Sequence, residues 1–205
     1  IVTVDGERLR QELPPDATMQ GVIDRVRAAL SPDQLIVGVA RNGNDLRDAE
    51  LTEHLSARLG EHEQIDLVTS DRYRVVAEAL RDIGAHLEKV GGSQPELAGR
   101  LSTGDTVEAI NQFSEFVRTW QACQQALVEG SALVGDDLTG LTFDGRAVNA
   151  FVDELRDKLR ELRDTLEARD LVLLADMMHF ELAPLCQTWR GLLEHIADNV
   201  ESRRG

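Results

Sequence analysis

Asp176 and His179 form the pair of side chains in this sequence whose types and spacing best suit metal binding. They stand three residues apart, so a helix would place both on one face. A protein metal site usually takes three or four ligands, and a two-metal helical bundle uses a Glu-x-x-His pair on each of two helices. The sequence contains no Glu-x-x-His pair. We therefore interpret Asp176 and His179 as a local hydrogen-bonded pair and predict no metal.

A second set of polar residues, His54, Glu61, His62 and Glu63, could cluster at the edge of the N-terminal part, although a solvated loop is the simpler interpretation. Glycine-rich phosphate loops, Gly-x-Ser-x-Gly elbows, His-Glu-x-x-His and Cys-x-x-Cys are absent from the sequence. Catalytic triads assemble in space rather than along the chain, so these absences disfavour an enzyme without excluding one. We predict no catalytic residue and no cofactor.

The acidic composition limits the partners of this chain of 205 residues. Its net charge is −15, from 7 basic and 14 acidic residues up to Asp71 and 15 basic and 23 acidic residues after it. Both halves are acidic, which disfavours nucleic acid and anionic membranes as partners. No apolar span approaches the roughly 18 residues of a membrane helix. Cys123 and Cys186 fall within helical patterns, as buried thiols of a reducing compartment do, so we predict a cytoplasmic location.

The first 70 residues alternate between strand and helix signals. Asp5-Gly6 and Asn42-Gly43 are tight-turn signals, and Asp16 or Thr18 can cap a helix. The predicted elements, in order, are a strand at 1–4, a weak strand at 7–13, a helix at 19–30, a strand at 35–40, a short helix at 51–59 and a strand at 65–69.

This order of elements resembles the β-grasp or ubiquitin-like fold, in particular that of small bacterial sulfur-carrier proteins. The segments that carry the resemblance are IVTVDGE at 1–7, LPPDAT at 13–18, VGVARNG at 37–43 and LGEHEQIDLV at 59–68. In that family the function depends on a free Gly-Gly end beyond the last strand. Here Asp71 leads directly into a helical pattern, so we do not expect carrier chemistry.

From residue 72 onward the apolar spacing changes to the helical period, with four stripes that end at Val90, Leu127, Leu166 and Val200. Gly91-Gly92 is interpreted as a helix stop, followed by a connector at 93–104. The predicted fold class is thus α+β: a small β-grasp (ubiquitin-like) unit at 1–71 and an antiparallel four-helix region at 72–205. The last helix resembles helices of uncharacterised bacterial proteins. Pro184 predicts a distortion near residues 180–183.

Glycines at 130, 135, 140 and 145 punctuate a stretch that is too apolar for a free loop. We interpret it as a small hairpin that plugs one end of the bundle, and the alternative is a docking loop. Residues 35–40 are apolar at every position, and residues 171–182 are apolar on nearly every side of a helix. The rest of the chain, a second copy or another protein could cover them.

These apolar surfaces suggest a non-enzymatic protein–protein interaction or adaptor module that self-associates through apolar helix faces. The partner would be another protein or a second copy in a homo-oligomer. The alternative is a small-molecule or metal-dependent enzyme with a site between the two parts. The candidate partner-binding residues are Ile36, Val68, Leu138, Phe143, Met177, Phe180 and Trp189.

Overall fold

The computed structural model describes residues 1–9, 14, 16–60, 62–103 and 106–203. Contacts within the chain divide it into two units, Ile1–Arg72 and Tyr73–Gly205. The first contains a small mixed sheet and the second is helical apart from one short hairpin, so the α+β class is confirmed. Within the described ranges, no helix has the length and apolar character that crossing a membrane requires.

The sheet of the first unit has five strands in the order β2-β1-β5-β3-β4. The strands are β1 (Val2–Val4), β2 (Glu7–Arg8), β3 (Gln34–Arg41), β4 (Asn44–Asp45) and β5 (Ile65–Asp71). β1 runs parallel to β5, and the other pairs are antiparallel. Both predicted hairpin turns are present, because Asp5, Gly6, Asn42 and Gly43 all have the positive φ angles of such turns. Residues 10–13 of the predicted second strand lie outside the described residues.

Helix α1 (Met19–Ala29) packs on one face of this sheet. Thr18 caps it, with its hydroxyl oxygen accepting a hydrogen bond from the Gly21 N–H at 3.2 Å. Helix α2 (Asp48–His54) ends earlier than the predicted 51–59, because the chain after it forms backbone hydrogen bonds with the start of α1, including Leu59 N to Ala17 O at 2.9 Å. The buried core of the unit consists of Val2, Met19, Val22, Ile23, Val26, Val39, Ile65 and Leu67.

The second unit is built from antiparallel helices. They are α3 (Arg72–Thr103), α4 (Thr106–Val134), α5 (Val148–Glu167), α6 (Leu171–Met177) and α7 (Ala183–Ser202). Ion pairs show that α3 and α7 run in opposite directions. Arg81 of α3 pairs with Glu194 of α7, whereas Glu88, further along α3, pairs with Arg190, which is nearer the start of α7. The core of this unit includes Leu80, Leu87, Phe116, Trp120, Leu127, Leu155, Leu182, Trp189 and Ile196.

The predicted helix stop at Gly91-Gly92 is wrong, since α3 continues through both glycines and through Pro95 to Thr103. Two side chains, Ser93 Oγ and Gln94 Nε2, donate hydrogen bonds to the Val90 carbonyl in the turn before the proline. The predicted connector at 93–104 is therefore helical as far as residue 103, and Gly104 lies outside the described residues.

The predicted distortion before Pro184 is confirmed, because a π-helical turn, Met178–Leu182, separates α6 from α7. Proline has no N–H to donate, and its ring clashes with the carbonyl four residues earlier. A wider turn relieves that clash while the helix continues.

The glycine-punctuated stretch forms a hairpin, β6 (Thr142–Phe143) with β7 (Arg146–Ala147), after a 3₁₀ turn at Leu138–Gly140. Leu138 is fully buried, and the ring of Phe143 lies 5.8 Å from that of Phe151. The segment thus packs against the helices of its own unit, as predicted for a plug.

Candidate functional site

The two residues considered for metal binding, Asp176 and His179, are exposed near the junction of α6 with the π-helical turn. The His179 ring lies edge-on to Phe180, with 4.5 Å between the ring centres. In the described part of the chain, no group of three or more His, Cys, Asp or Glu is arranged to hold a metal ion. Within the described residues the two side chains share no hydrogen bond, so the predicted local hydrogen-bonded pair is wrong.

The histidine cluster at the edge of the first unit is organised by an arginine. Arg41 contacts His54 Nδ1 at 3.1 Å and donates to Glu63 Oε1 at 2.5 Å. Hydrogen bonds from the Gly60 N–H and from Arg41 hold the pKa of Glu63 below its ordinary value. His62 is exposed, and Glu61 lies outside the described residues. The described members of this cluster are held together by the Arg41–Glu63 ion pair and by the contact between Arg41 and His54.

Both cysteines are free and buried in the second unit. Burial raises the pKa of each thiol to about 12, and the neighbouring Cys186 adds to the effect at Cys123. A thiol with so high a pKa is protonated at neutral pH, so neither cysteine is a nucleophile there.

The seven candidate partner-binding residues differ in how much of their side chain is exposed to solvent. Met177, Trp189 and Leu138 have no exposed surface and belong to the core of the second unit. Phe180 is 68% exposed and Val68 is 51% exposed. The other two, Ile36 and Phe143, are partly buried against the core of their own unit. Only Phe180 and Val68 therefore present most of their apolar surface to solvent.

Phe180 lies within a larger exposed surface on the α6 segment, which we call the α6 face: Val172, Leu173, Asp176, His179 and Phe180. Val172 is 75% exposed and Leu173 is 44% exposed. These residues recur at helical spacing on the solvent side, while Leu174, Ala175, Met177, Met178 and Leu182 form the buried side. The segment predicted to be covered on every side is thus covered on one side only in the single chain.

A groove between α3 and α4 is the feature that the sequence analysis missed. It has a volume of about 300 Å³ and is lined mainly by apolar residues. The residues that line it are Val75, Val76, Ala79, Leu80, Ile83, Ala122, Gln125, Ala126, Glu129, Gly130 and Leu133. The signal in the sequence was the small residues Ala122, Ala126 and Gly130 at intervals of four, beside the apolar stripe of α4 rather than within it.

The groove continues into a region of about 340 Å³ that shares Ile83 and Ala122 with it and has more charged residues in its lining. This region is lined by Asp82, Ile83, His86, Glu115, Arg118, Thr119 and Ala122. His86 Nε2 lies 3.8 Å from Glu115 Oε1. These two sets of lining residues define the α3–α4 groove. Its first part is mainly apolar apart from Gln125 and Glu129, and most of its charged residues lie in the second part.

The helices that form both surfaces match a family model. Residues 78–192, more than half of the chain, match the family described as "Domain of unknown function (DUF8042)". The chain belongs to this family. The matched region runs from α3 into α7 and includes the α6 face and most of the α3–α4 groove, whereas the sheet of the first unit lies outside it.

A relative extends the similarity over both units. An uncharacterised protein of Treponema pallidum (strain Nichols) is 24% identical over 201 residues, which are 98% of this chain and 99% of that protein. The chain is thus similar to an uncharacterised bacterial protein along nearly its whole length, which agrees with the resemblance predicted for the last helix. No solved structure matches the chain.

Proposed function

We propose that this member of the family is a non-enzymatic protein–protein interaction module that self-associates through the α6 face. The observation that carries the proposal is the exposure of three large apolar side chains, Val172, Leu173 and Phe180, on one side of a single helical segment. Clustered apolar groups on a solvent-exposed surface favour association, because contact removes them from water.

A second copy of the chain is the occupant that the charges of the α6 face favour. In the described part of the chain, neither Asp176 nor His179 has a hydrogen-bond or ion-pair partner. Two copies crossing antiparallel between Met177 and Met178 would place Asp176 of each beside His179 of the other. A twofold contact makes this complementary pair twice, with the apolar side chains around it.

The composition supports the rest of the proposal. A net charge of −15 is unfavourable for binding to nucleic acid or to an anionic membrane. Two free, buried cysteines suit a reducing compartment, so we place the protein in the cytoplasm. The apolar area of the α6 face is small for a permanent dimer, and the expected association is weak and reversible.

Sedimentation velocity of the full-length protein, from about 10 μM to 1 mM to span weak affinities, tests the proposal. The expected result is a shift from monomer to dimer as the concentration rises. Phe180→Asp should remove the shift, because it buries an unpaired charge in the contact. Val128→Asp is the matched control, since Val128 is an exposed apolar residue (69%) on a different helix, α4. A monomer at every concentration, or a Phe180→Asp variant that dimerises as the wild type does, would contradict the proposal.

A further inference from the structure

We infer that the α3–α4 groove binds an amphipathic helix of a different protein, one that carries basic residues along its flanks. This surface is separate from the α6 face, and the inference does not depend on self-association.

The walls of the groove have the spacing that helix packing requires. Val75, Ala79 and Ile83 recur at intervals of four on α3, and Ala122, Ala126 and Gly130 do so on α4. Rows of side chains four residues apart form the ridges and grooves through which helices interdigitate. Because most of these side chains are small, a third helix can approach at the usual interaxial distance of about 8–10 Å.

The dimensions favour a helix over a compact ligand. The α3 wall runs from Val75 to His86, about 17 Å at 1.5 Å per residue, and the α4 wall from Glu115 to Leu133 is longer. A helix of three to five turns would fill that length. Pockets for small molecules enclose most of the ligand surface, whereas Ala79 and Ala122 line this groove while remaining exposed to solvent.

The charged residues that line the α3–α4 groove favour a basic occupant. Three carboxylates line the groove, those of Asp82, Glu115 and Glu129, against one arginine, Arg118. Neither Asp82 nor Glu129 has a lysine or arginine partner in the described part of the chain, although Glu129 accepts a hydrogen bond from Gln125 at 2.7 Å. Lysine or arginine on the flanks of the bound helix would supply the missing counter-charges.

Two helices of the chain itself, α5 and α1, do not match this description, and we assign the occupant to another protein. α5 carries four basic residues, and each already forms an ion pair with an acidic residue: Arg156, Lys158, Arg160 and Arg163. The apolar side of α1 is buried against its own sheet through Met19, Val22, Ile23 and Val26.

Fluorescence anisotropy with the full-length protein tests the inference. The probe is a fluorescein-labelled peptide of 18 residues, a length chosen so that its helix, at about 1.5 Å per residue, matches the longer wall. It has leucine on one helical face, lysine on both flanks of that face and alanine elsewhere. Saturable binding is expected. Ala79→Glu should weaken binding at least about tenfold, because it fills the groove with a charged side chain. Ala85→Glu, another exposed alanine on α3 that does not line the groove, should change binding less than about twofold.

The two variants add the same negative charge, so they separate groove binding from general attraction to an acidic protein. If the peptide were only attracted to negative charge in general, both variants would bind it more tightly than the wild type and to the same extent. Equal binding by the two variants, or no saturable binding by the wild type, would overturn the inference. Circular dichroism confirms that both remain folded, as expected for exposed positions in a helix.

The charge requirement is tested with the combined Asp82→Asn and Glu129→Gln variant. It should bind the lysine peptide more weakly and with less dependence on salt, and a peptide with glutamate in place of lysine should not bind the wild type. Unchanged affinity in either experiment would overturn the assignment of a basic partner. Phe180→Asp should bind the lysine peptide normally, which keeps this test distinct from that of self-association.

Discussion

Gly91 on α3 faces Cys186 on α7 so closely that a Cβ at position 91 would lie 2.7 Å from the Cβ of Cys186 and 3.2 Å from its Sγ. Non-bonded carbon atoms essentially never approach each other so closely, so only glycine fits there without a shift of one helix. The neighbouring Gly92 has nothing within 4 Å of the corresponding position. The two adjacent glycines therefore have different roles, although the sequence presents them as one helix-breaking pair.

Alanine substitutions should distinguish these two glycines. Gly91→Ala should destabilise the protein by about 1–3 kcal/mol through overpacking between α3 and α7. Gly92→Ala should stabilise it by about 0.5–1 kcal/mol, because alanine loses less backbone entropy than glycine in a helix. Urea unfolding followed by tryptophan fluorescence measures both, since Trp120 and Trp189 lie in this unit. Equal effects of the two substitutions would contradict the close contact at Gly91.

Trp189 should matter for stability and Phe180 should not. Trp189 is fully buried, with its ring 5.4 Å from that of Trp120 in an edge-to-face contact. Trp189→Ala should cost about 3–5 kcal/mol of unfolding free energy, the range for a large aromatic removed from a core. Phe180→Ala, at an exposed position, should change the free energy by less than about 0.5 kcal/mol. Circular dichroism in urea at low protein concentration gives both values, and a stable Trp189→Ala variant would be inconsistent with the core position of this residue.

The Glu63–Arg41 pair predicts a dependence of stability on pH in the first unit. The pKa of Glu63 is lowered in the folded state by the Gly60 N–H and by Arg41. Its contribution is therefore fully present above the unfolded pKa of about 4.3 and is lost as the pH falls through the lower folded value. Glu63→Gln should reduce stability by about 1 kcal/mol at neutral pH.

Amide hydrogen exchange of β5 in the full-length protein measures this effect within the first unit. The difference between wild type and Glu63→Gln should shrink progressively as the pH falls through the lowered pKa of Glu63, where the wild-type carboxylate also becomes protonated. A difference that stayed constant from neutral to acidic pH would show that the carboxylate charge is not responsible.

Arg81 connects α3 to three acidic residues near the end of α7. It donates to Glu194 at 3.1 Å, to Asp198 at 2.7 Å and to Glu201 at 2.9 Å. These hydrogen bonds raise the pKa of Arg81, and the bond to Asp198 contributes most. Arg81→Met should destabilise the unit by about 1–2 kcal/mol, because three carboxylates would then repel one another near a helix C-terminus. The loss should shrink at high salt, which screens the repulsion.

Arg160→Met is the control for this experiment. Arg160 forms an exposed pair with Asp157 on the same helix at 3.1 Å, and exposed pairs of this kind contribute little. Its replacement should change the unfolding free energy by less than about 0.5 kcal/mol. A loss as large as that of Arg81→Met would mean that the three-carboxylate arrangement is not special.

Local chemistry made much of the fold predictable. Asp5-Gly6 and Asn42-Gly43 form the predicted turns because both residues of each pair accept positive φ angles that few others do. Pro184 produces a π-helical turn where its missing N–H and its ring predict a distortion. The resemblance to the ubiquitin-like family rests on the order of these local elements in the sequence and stays a prediction. The tertiary structure shows a five-stranded mixed sheet in which β1 pairs in parallel with β5.

The sequence by itself determined the period of each segment, and hence the class of the fold, because a helix or strand repeats its buried positions at a fixed interval. Only the tertiary structure decided which apolar residues face a neighbour. Met177 and Phe180 belong to one apolar segment, yet the first is buried and the second is 68% exposed. Likewise, Gly91 acquires its role from Cys186 on α7, and the α3–α4 groove is formed by side chains from two different helices. Burial depends on the distance between elements, which no local pattern of residues contains.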